Sequence, residues 1–474
     1  MSQIADSKSS LPQSWLSLPI GHVSHVISGG TPPSKDKSCF TTPGNGIPWL
    51  TPADLSNNKA QHISHGSRDL TDKGFSLCSA QILPTGSVLF SSRAPIGYVA
   101  IAQNPLSTNQ GFKSFALPTE IDSRFIYYQL RHLKAVAETL ATGTTFKELS
   151  GSTAARIPIT LAPTNEQRRI ADKLDCVLAR VDAANEHISR VAPLIKRFRQ
   201  SVLSAATLGR LTEDWREQNT IKLTDTNNEI DSFRTSQLPE LPHSWSWKPF
   251  SSVARVSSNL QDPSAHTESI HLAPNHVESW TGRINCVRTI AEDGVTSPKH
   301  KFNAGQIVYS KIRPNLCKVA IPKFSGLCSA DMYPIDTDIH VHYLAYWMRS
   351  QKFTDWASNA ESRTVLPKIN QAQLNTIPVP VPSSQEEQSE IVRRVEKLFS
   401  FADRLEERLS QAQAAVQKLT PALLAKAFRG ELVPQDPNDE PASELLKRLQ
   451  ESRANDSKPR RARKPRATSA GESP

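Results

Sequence analysis

Apolar residues recur every seven positions along residues 164–208. Ile170, Val177, Ala184, Val191, Phe198 and Ala205 form one row, and Leu174, Val181, Ile188, Ile195 and Val202 form the other. Their alternating four- and three-residue spacing is the seam of a coiled coil. The stretch opens on Thr164-x-x-Gln167, a capping-box pattern, and runs without turn residues to Gly209. The same heptad rows return 221 positions later, in a stretch that Ser384-x-x-Glu387 opens: Ile391, Leu398, Leu405, Ala412 and Leu419 stand beside Val395, Ala402, Leu409, Val416 and Leu423. Gly430 then matches Gly209, and Leu432 matches Leu211. Helices of roughly 44 residues are about 65 Å long at 1.5 Å per residue, too long for an ordinary globular core. Each therefore takes its own copy as partner, and the rows point to an internal duplication. The seam is assigned to Ile170, Leu174, Val177, Val181, Ile188, Ile195 and Val202, against Ile391, Val395, Leu398, Leu405, Leu409, Val416 and Leu423. The helices are expected to run antiparallel, with a bend at Pro193 and at Pro421, because the heptad phase survives both prolines.

The duplication reaches beyond the helices. LPQSWLSLPIGHV at 11–23 returns as LPHSWSWKPFSSV at 241–253, and GSVLFSSRAPIGYVAI at 86–101 as GQIVYSKIRPNLCKVAI at 305–321. IDSRFIYYQLRHL at 121–133 resembles IHVHYLAYWMRSQ at 339–351, and IPITLAP at 157–163 resembles IPVPVPS at 377–383. Short strand-like runs broken by Gly and Pro, with one helical stretch per copy, read as two compact domains of mixed α/β (α+β) class. The expected order is a first domain at 11–163, a long helix at 164–209, a polar linker at 210–239, a second domain at 240–383 and a second long helix at 384–430. A short amphipathic helix at 431–452 and a disordered basic tail at 453–474 follow.

Charge and composition narrow the function. The chain has 474 residues, 38% of them hydrophobic, a net charge of +10 and six scattered cysteines with no C-x-x-C pair. No zinc site or disulfide framework is indicated, and the cysteines are expected to be reduced and mostly packed inside. No run approaches 18 apolar residues, and MSQIADSKSS lacks a signal pattern, so a cytoplasmic protein without a membrane partner is expected. The excess of positive charge suits a polyanion.

Catalytic motifs are missing. There is no phosphate-binding G-x-x-x-x-G-K-[ST] loop, no G-x-G-x-x-G, no H-E-x-x-H and no G-x-S-x-G, so no cofactor, metal or catalytic residue is assigned. Asn104-Pro105-Leu106 lacks the second proline and the aromatic that would stack a flipped base, and is read as a turn. His62, His65, His340 and His342 have no accompanying ligand cluster.

What remains is polar and basic loops. Ser91, Ser92 and Arg93 follow a strand in the first copy, and Ser310, Lys311, Arg313 and Asn315 take their place in the second. Thr145 and Lys147 in TGTTFKEL, and Arg363 and Lys368 in ESRTVLPKI, form a second polar loop ahead of each long helix. Arg can address guanine and Asn adenine in a major groove, so these loops could read bases. They equally fit exposed turns that touch phosphate or nothing, and the residues alone leave both readings open.

The repeat, the EQ-x-x-I pattern at each helix entrance and the exits KRFRQSVLSAATLGRLTEDW and LAKAFRGELVPQDP together resemble the specificity subunit of type I restriction-modification systems, over nearly the whole chain. That resemblance implies a noncatalytic DNA-recognition subunit whose two domains each read half of a split site in double-stranded DNA. It further implies that the helices set the spacing and dock two modification subunits, and through them the restriction subunits. Two features depart from the pattern: a longer spacing between proline and EQ in the second copy, and the basic terminal tail.

Overall fold

The computed structural model describes residues 11–56, 58, 60–93, 95–143, 147–219, 238–359 and 367–456. The chain divides into two compact units, one of residues 1–186 with 413–474 and the other of residues 187–412. Each unit holds one domain and half of each long helix, so each is described separately.

In the first unit the domain begins and ends on one ribbon: Leu16–Pro19 pairs antiparallel with Pro158–Leu161. A five-stranded sheet follows in the order His25–Ser28, Lys113–Ala116, Val88–Phe90, Val99–Ala102 and His62–Ile63. A four-stranded sheet of Phe40–Thr41, Arg68–Leu70, Ile47–Leu50 and Ser107–Thr108 completes it. The helices Ser123–His132 and Lys134–Leu140 supply the predicted helical stretch. The core joins this domain to the helices, because Phe125, Ile159, Ile170, Leu174 and Leu178 share one cluster with Leu424, Ala427, Phe428, Leu445 and Leu449.

The second unit repeats the plan. Trp245–Pro249 pairs with Pro378–Pro382. One sheet runs Ala254–Val256, Met332–Thr337, Ile307–Ser310 and Val319–Ala320, reproducing the order of the first domain's larger sheet without its last strand. The other runs Leu260–Gln261, Lys299–Phe302, Gly326–Cys328, Ile270–Leu272 and Arg288–Thr289. Val202, Leu203 and Ala206 pack with Ile391, Val392 and Val395.

The long helices are Thr164–Thr207 and Gln385–Phe428, 44 residues each. The start of the first meets the end of the second in one unit, and the end of the first meets the start of the second in the other. They therefore pack antiparallel, as the duplicated heptads predict. Both helices continue through Pro193 and Pro421 without restarting. Of the seam positions, Ile170, Leu174, Val181, Ile195, Val202, Ile391 and Val395 are buried. Val177, Ile188, Leu398, Leu405, Leu409, Val416 and Leu423 are only partly covered, and Leu419 is 44% exposed. Apolar cover is deepest where a domain lies against the helices.

The capping boxes are a correction. Glu387 N does donate to Ser384 Oγ at 3.1 Å, but neither Gln167 nor Glu387 is recorded closing the reciprocal bond. Gln167 instead accepts from Asp122 N at 3.1 Å and donates to Ala162 O at 2.8 Å. Gln388 takes the same post in the second copy, accepting from His340 N at 2.8 Å. The preceding acid in each copy is a buried latch. Glu166 accepts from Trp15 Nε1 at 2.8 Å and from Gln435 Nε2, and Glu387 from Trp245 Nε1 at 3.0 Å, Thr212 Oγ1 at 2.8 Å and Arg216 Nη1 at 2.6 Å. Tertiary partners win because these side chains face the domain, where an unpaired polar group would cost more than a frayed helix end.

The helix exits close the units. Gly430 and Gly209 are left-handed, with φ of 75° and 77°, and a side-chain carbon there would lie 2.4 Å from the Pro12 ring and 2.3 Å from the Pro242 ring. After Gly430 the chain returns to the first domain: Ala442 N donates to Ser14 O at 2.9 Å, and the helix Ala442–Asp456 buries Leu445 and Leu449. That helix extends into the stretch expected to be tail, and Arg453 donates to His22 O at 2.8 Å. The rest of the tail, and 220–237 of the linker, lie outside the described residues. Of the cysteines, Cys39, Cys317 and Cys328 are buried and Cys78 partly so, while Cys176 and Cys286 are exposed.

Candidate nucleic-acid interface

The two loops singled out in each domain are neighbours in space. In the first domain the strand Val88–Phe90 continues past its formal end, so Ser92 N donates to Gly111 O at 2.8 Å while Ser92 O accepts from Leu149 N at 2.9 Å. Arg93 lies opposite Glu148, with Arg93 Nη1 3.7 Å from Glu148 Oε2. Residues 109–113, 91–93 and 147–149 thus form one edge. The second domain builds the same edge: Lys311 N donates to Asp331 O and Ile369 N to Lys311 O, both at 2.9 Å, and Arg313 N donates to Pro367 O at 2.8 Å. Lys368 Nζ stands 3.3 Å from Asp331 Oδ1.

Not every candidate side chain faces outward. Ser91 is buried, its hydroxyl donating to Pro95 O and accepting from Tyr98 N, both at 2.8 Å, so it builds the turn. The Ser92 hydroxyl is buried without a hydrogen-bond partner, and Ser310 is buried and its hydroxyl donates to Ile312 O at 3.1 Å. These three serines support the edge from inside. Arg313, Asn315, Lys147 and Lys368 are exposed, and Arg93 and Lys311 half-buried. Thr145 and Arg363 lie outside the described residues.

Arg313 and Asn315 sit on a tight turn. The short 3-10 segment Pro314–Leu316 is flanked by Arg313 at φ 48° and Cys317 at φ 47°. Left-handed backbone at non-glycine residues is strained and persists only where its surroundings fix it.

The sequence reading missed further cations on the strands behind each edge. Lys113 is buried between the paired segments, and burial, with Arg93 nearby, pushes its ammonium pKa down against the pull of Glu148. Lys318 donates to Pro274 O at 2.6 Å and is likewise lowered by burial and by Arg313. Lys299 donates to Ser297 O at 2.9 Å, and His300 is held below its usual pKa by burial and by Lys311. The signal was a lysine inside an apolar strand pattern, as in GFKSFA and PKHKF. Each edge therefore offers an arginine fork among several cations with one nearby carboxylate, and the second adds the amide of Asn315, a surface suited to phosphate and base edges. Among the described residues no group of three or more His, Cys, Asp or Glu is placed to hold a metal.

Comparison with known proteins places the chain in a family. The type I restriction modification DNA specificity domain matches residues 12–191 and 282–412. The EcoDI specificity subunit of Escherichia coli is 47% identical over 348 residues, covering 71% of this chain and 78% of that protein. The MjaIX specificity subunit of Methanocaldococcus jannaschii is 27% identical over 440 residues, covering 89% and 94%. The crystal structure of the HsdS subunit from Thermoanaerobacter tengcongensis shares the fold, with a TM-score of 0.56 at 17% identity over 90% of this chain and 99% of that one. The duplicated fold and the matching family model define a two-domain DNA specificity protein. The chain belongs to the type I restriction-modification DNA specificity family and is a noncatalytic specificity subunit of such a system.

Proposed function

We propose that each domain reads one half of an asymmetric, two-part site in double-stranded DNA, through the edge that carries Arg93 and Lys147 in the first domain and Lys311, Arg313, Asn315 and Lys368 in the second. The observation that carries this reading is that one backbone scaffold presents different side chains in the two copies. A shared scaffold with different donors reads different bases, and an asymmetric site follows. The long helices set the spacing between the half-sites and, as the family resemblance implies, dock two modification subunits and through them the restriction subunits. DNA as ligand supports a cytoplasmic location. No helix among the described residues is long and apolar enough to cross a membrane.

Exchange of residues 11–160 for the same domain of a relative tests the reading. Methylation mapping in a host that also expresses the modification subunit should show one half of the target changed and the other kept. A change in both halves, or in their separation alone, would overturn the assignment of the reading domains.

A further inference from the structure

The described residues contain three non-glycine positions with left-handed φ, and all three lie in one assembly of the second domain. Two are Arg313 and Cys317, which bound the turn carrying Asn315, and the third is Trp280 at φ 68°. Trp280 belongs to a loop closed by the bridge between Val277 and Ile284. Its amide donates to Cys317 O at 3.0 Å, so the loop is bonded to the end of the strained turn. Gly282 lies so close to the hairpin that a side-chain carbon there would be 2.1 Å from Val319 O, the carbonyl that also accepts from Arg349 Nε at 3.0 Å.

The other side of this loop grips both long helices within the same unit. Arg283 Nη2 binds Asp403 and lies 3.0 Å from Glu406 Oε2, both on the second long helix. The same two carboxylates hold Arg199 of the first long helix, at 2.5 Å and 3.2 Å. Lys196 of the first helix stands 5.2 Å from the centre of the Trp280 ring, and Gln200 Nε2 donates to Arg349 O at 3.3 Å. A continuous chain of contacts therefore runs from the paired helices through residues 278–283 to the turn at 313–317.

The first domain holds the matching loop differently. Counted from Pro52 and Pro274, which follow the matching strands Ile47–Leu50 and Ile270–Leu272, Gln61 stands at the place of Arg283, and it donates one bond, 3.2 Å, to Asp175 of the first long helix. Among the described residues of that loop, no charged side chain takes part.

We infer that Arg283 and Trp280 are positioning residues for the second half-site: they clasp the strained Arg313–Cys317 turn to the long helices and fix the angle at which it meets DNA. The inference rests on the proposed reading of DNA by that turn. A backbone held in a sparsely populated conformation needs its surroundings to over-determine it, and the clasp supplies the part of those surroundings that lies outside the DNA-facing edge. Because Arg283 and its partners are partly solvated, added salt weakens the clasp. Discrimination at the second half-site then falls with ionic strength more steeply than at the first.

The test uses the full chain assembled with its modification subunit, and duplexes carrying the native site or one substitution in either half. Methylation rates give the discrimination at each half, and the domain exchange identifies which half belongs to which domain. Arg283→Gln, which installs the first domain's residue, should reduce discrimination at the second half-site about tenfold, roughly the weight of one lost base contact. It should leave the first half-site and the affinity for unrelated DNA unchanged. Arg283→Lys should recover part of the loss. A purely structural role would lower discrimination in both halves, or stability without discrimination, and either result overturns the inference. Unchanged discrimination in Arg283→Gln, with a loss in Arg313→Ala, overturns the clasp and leaves the DNA reading standing. No loss in Arg313→Ala and no effect of domain exchange would remove the reading and the clasp with it.

Discussion

Glu166 and Glu387 occupy duplicated positions, each accepting from a tryptophan, yet replacing them by glutamine should have unequal effects. Glu387 is fully buried and its carboxylate is 2.6 Å from Arg216, which is itself largely buried. Glutamine there turns an amide NH2 toward a guanidinium that has only donors. Breaking a buried pair costs about 3–5 kcal/mol. Arg216 keeps Gly209 O at 2.5 Å and Thr212 Oγ1 at 3.1 Å, so the lower end, about 3 kcal/mol, is expected for Glu387→Gln. Glu166 faces no cation at bonding distance, only Trp15 and Gln435. The Gln435 amide can rotate to present its oxygen to a new glutamine, giving up only a 3.4 Å contact from Ser14 and one of 3.3 Å to Gly430 O, so Glu166→Gln should cost less than about 1 kcal/mol. Burial raises the Glu166 pKa above the usual carboxylate range. An acid raised in the folded state stabilises it most below the ordinary value, and that contribution is lost as pH rises through the raised value. Glu166→Gln should therefore gain on the wild type across that window as pH rises. Hydrogen exchange of the ribbons Leu16–Pro19 and Trp245–Pro249 would report both opening energies, and Arg216→Gln added to Glu387→Gln should restore part of the loss. Equal costs at the two positions, or no recovery in the double variant, would refute the reasoning.

Two further perturbations test the packing. Leu174→Ala, fully buried where helix and domain meet, should cost about 2–5 kcal/mol, whereas Leu419→Ala, well exposed on the second helix, should stay within about 0.5 kcal/mol in thermal denaturation. Gly430→Ala and Gly209→Ala should each destabilise by more than the roughly 1 kcal/mol of an ordinary glycine replacement, because each adds a proline clash to an unfavourable φ; unchanged melting of either would show that the exit turns can relax.

The long helices and the duplication were legible because burial imposes a period, and a seven-residue rhythm kept through Ile170, Leu174 and Val181 has few other causes. The neighbourhood of Ser91–Arg93 and Lys147 was half legible: both loops stood out as basic, but nothing local says that Leu149 N bonds Ser92 O. The capping boxes were misread for the same reason. Thr164-x-x-Gln167 looks alike whether the glutamine turns back to its own helix or reaches Asp122, and only the folded domain decides. The clasp was invisible, since Arg283 meets carboxylates 120 and 123 positions away and its loop has no pattern of its own. Lys113 was passed over because a lysine between Phe112 and Phe115 reads as an edge-strand solvent residue, whereas the edge folds over it.

The return of residues after Gly430 to Ser14 has a consequence in time. The unit of residues 187–412 is a single uninterrupted stretch, which the ribosome can finish and release to fold. The first domain emerges earlier but waits for Phe428, whose ring centre lies 5.5 Å from that of Phe125, and then for Leu445 and Leu449. At about 5–20 residues per second, the delay between Leu174 and Leu449 is on the order of tens of seconds. Throughout that interval the faces of Phe125, Ile170 and Leu174 lack their cover, so the first domain to be made is the last to be sealed.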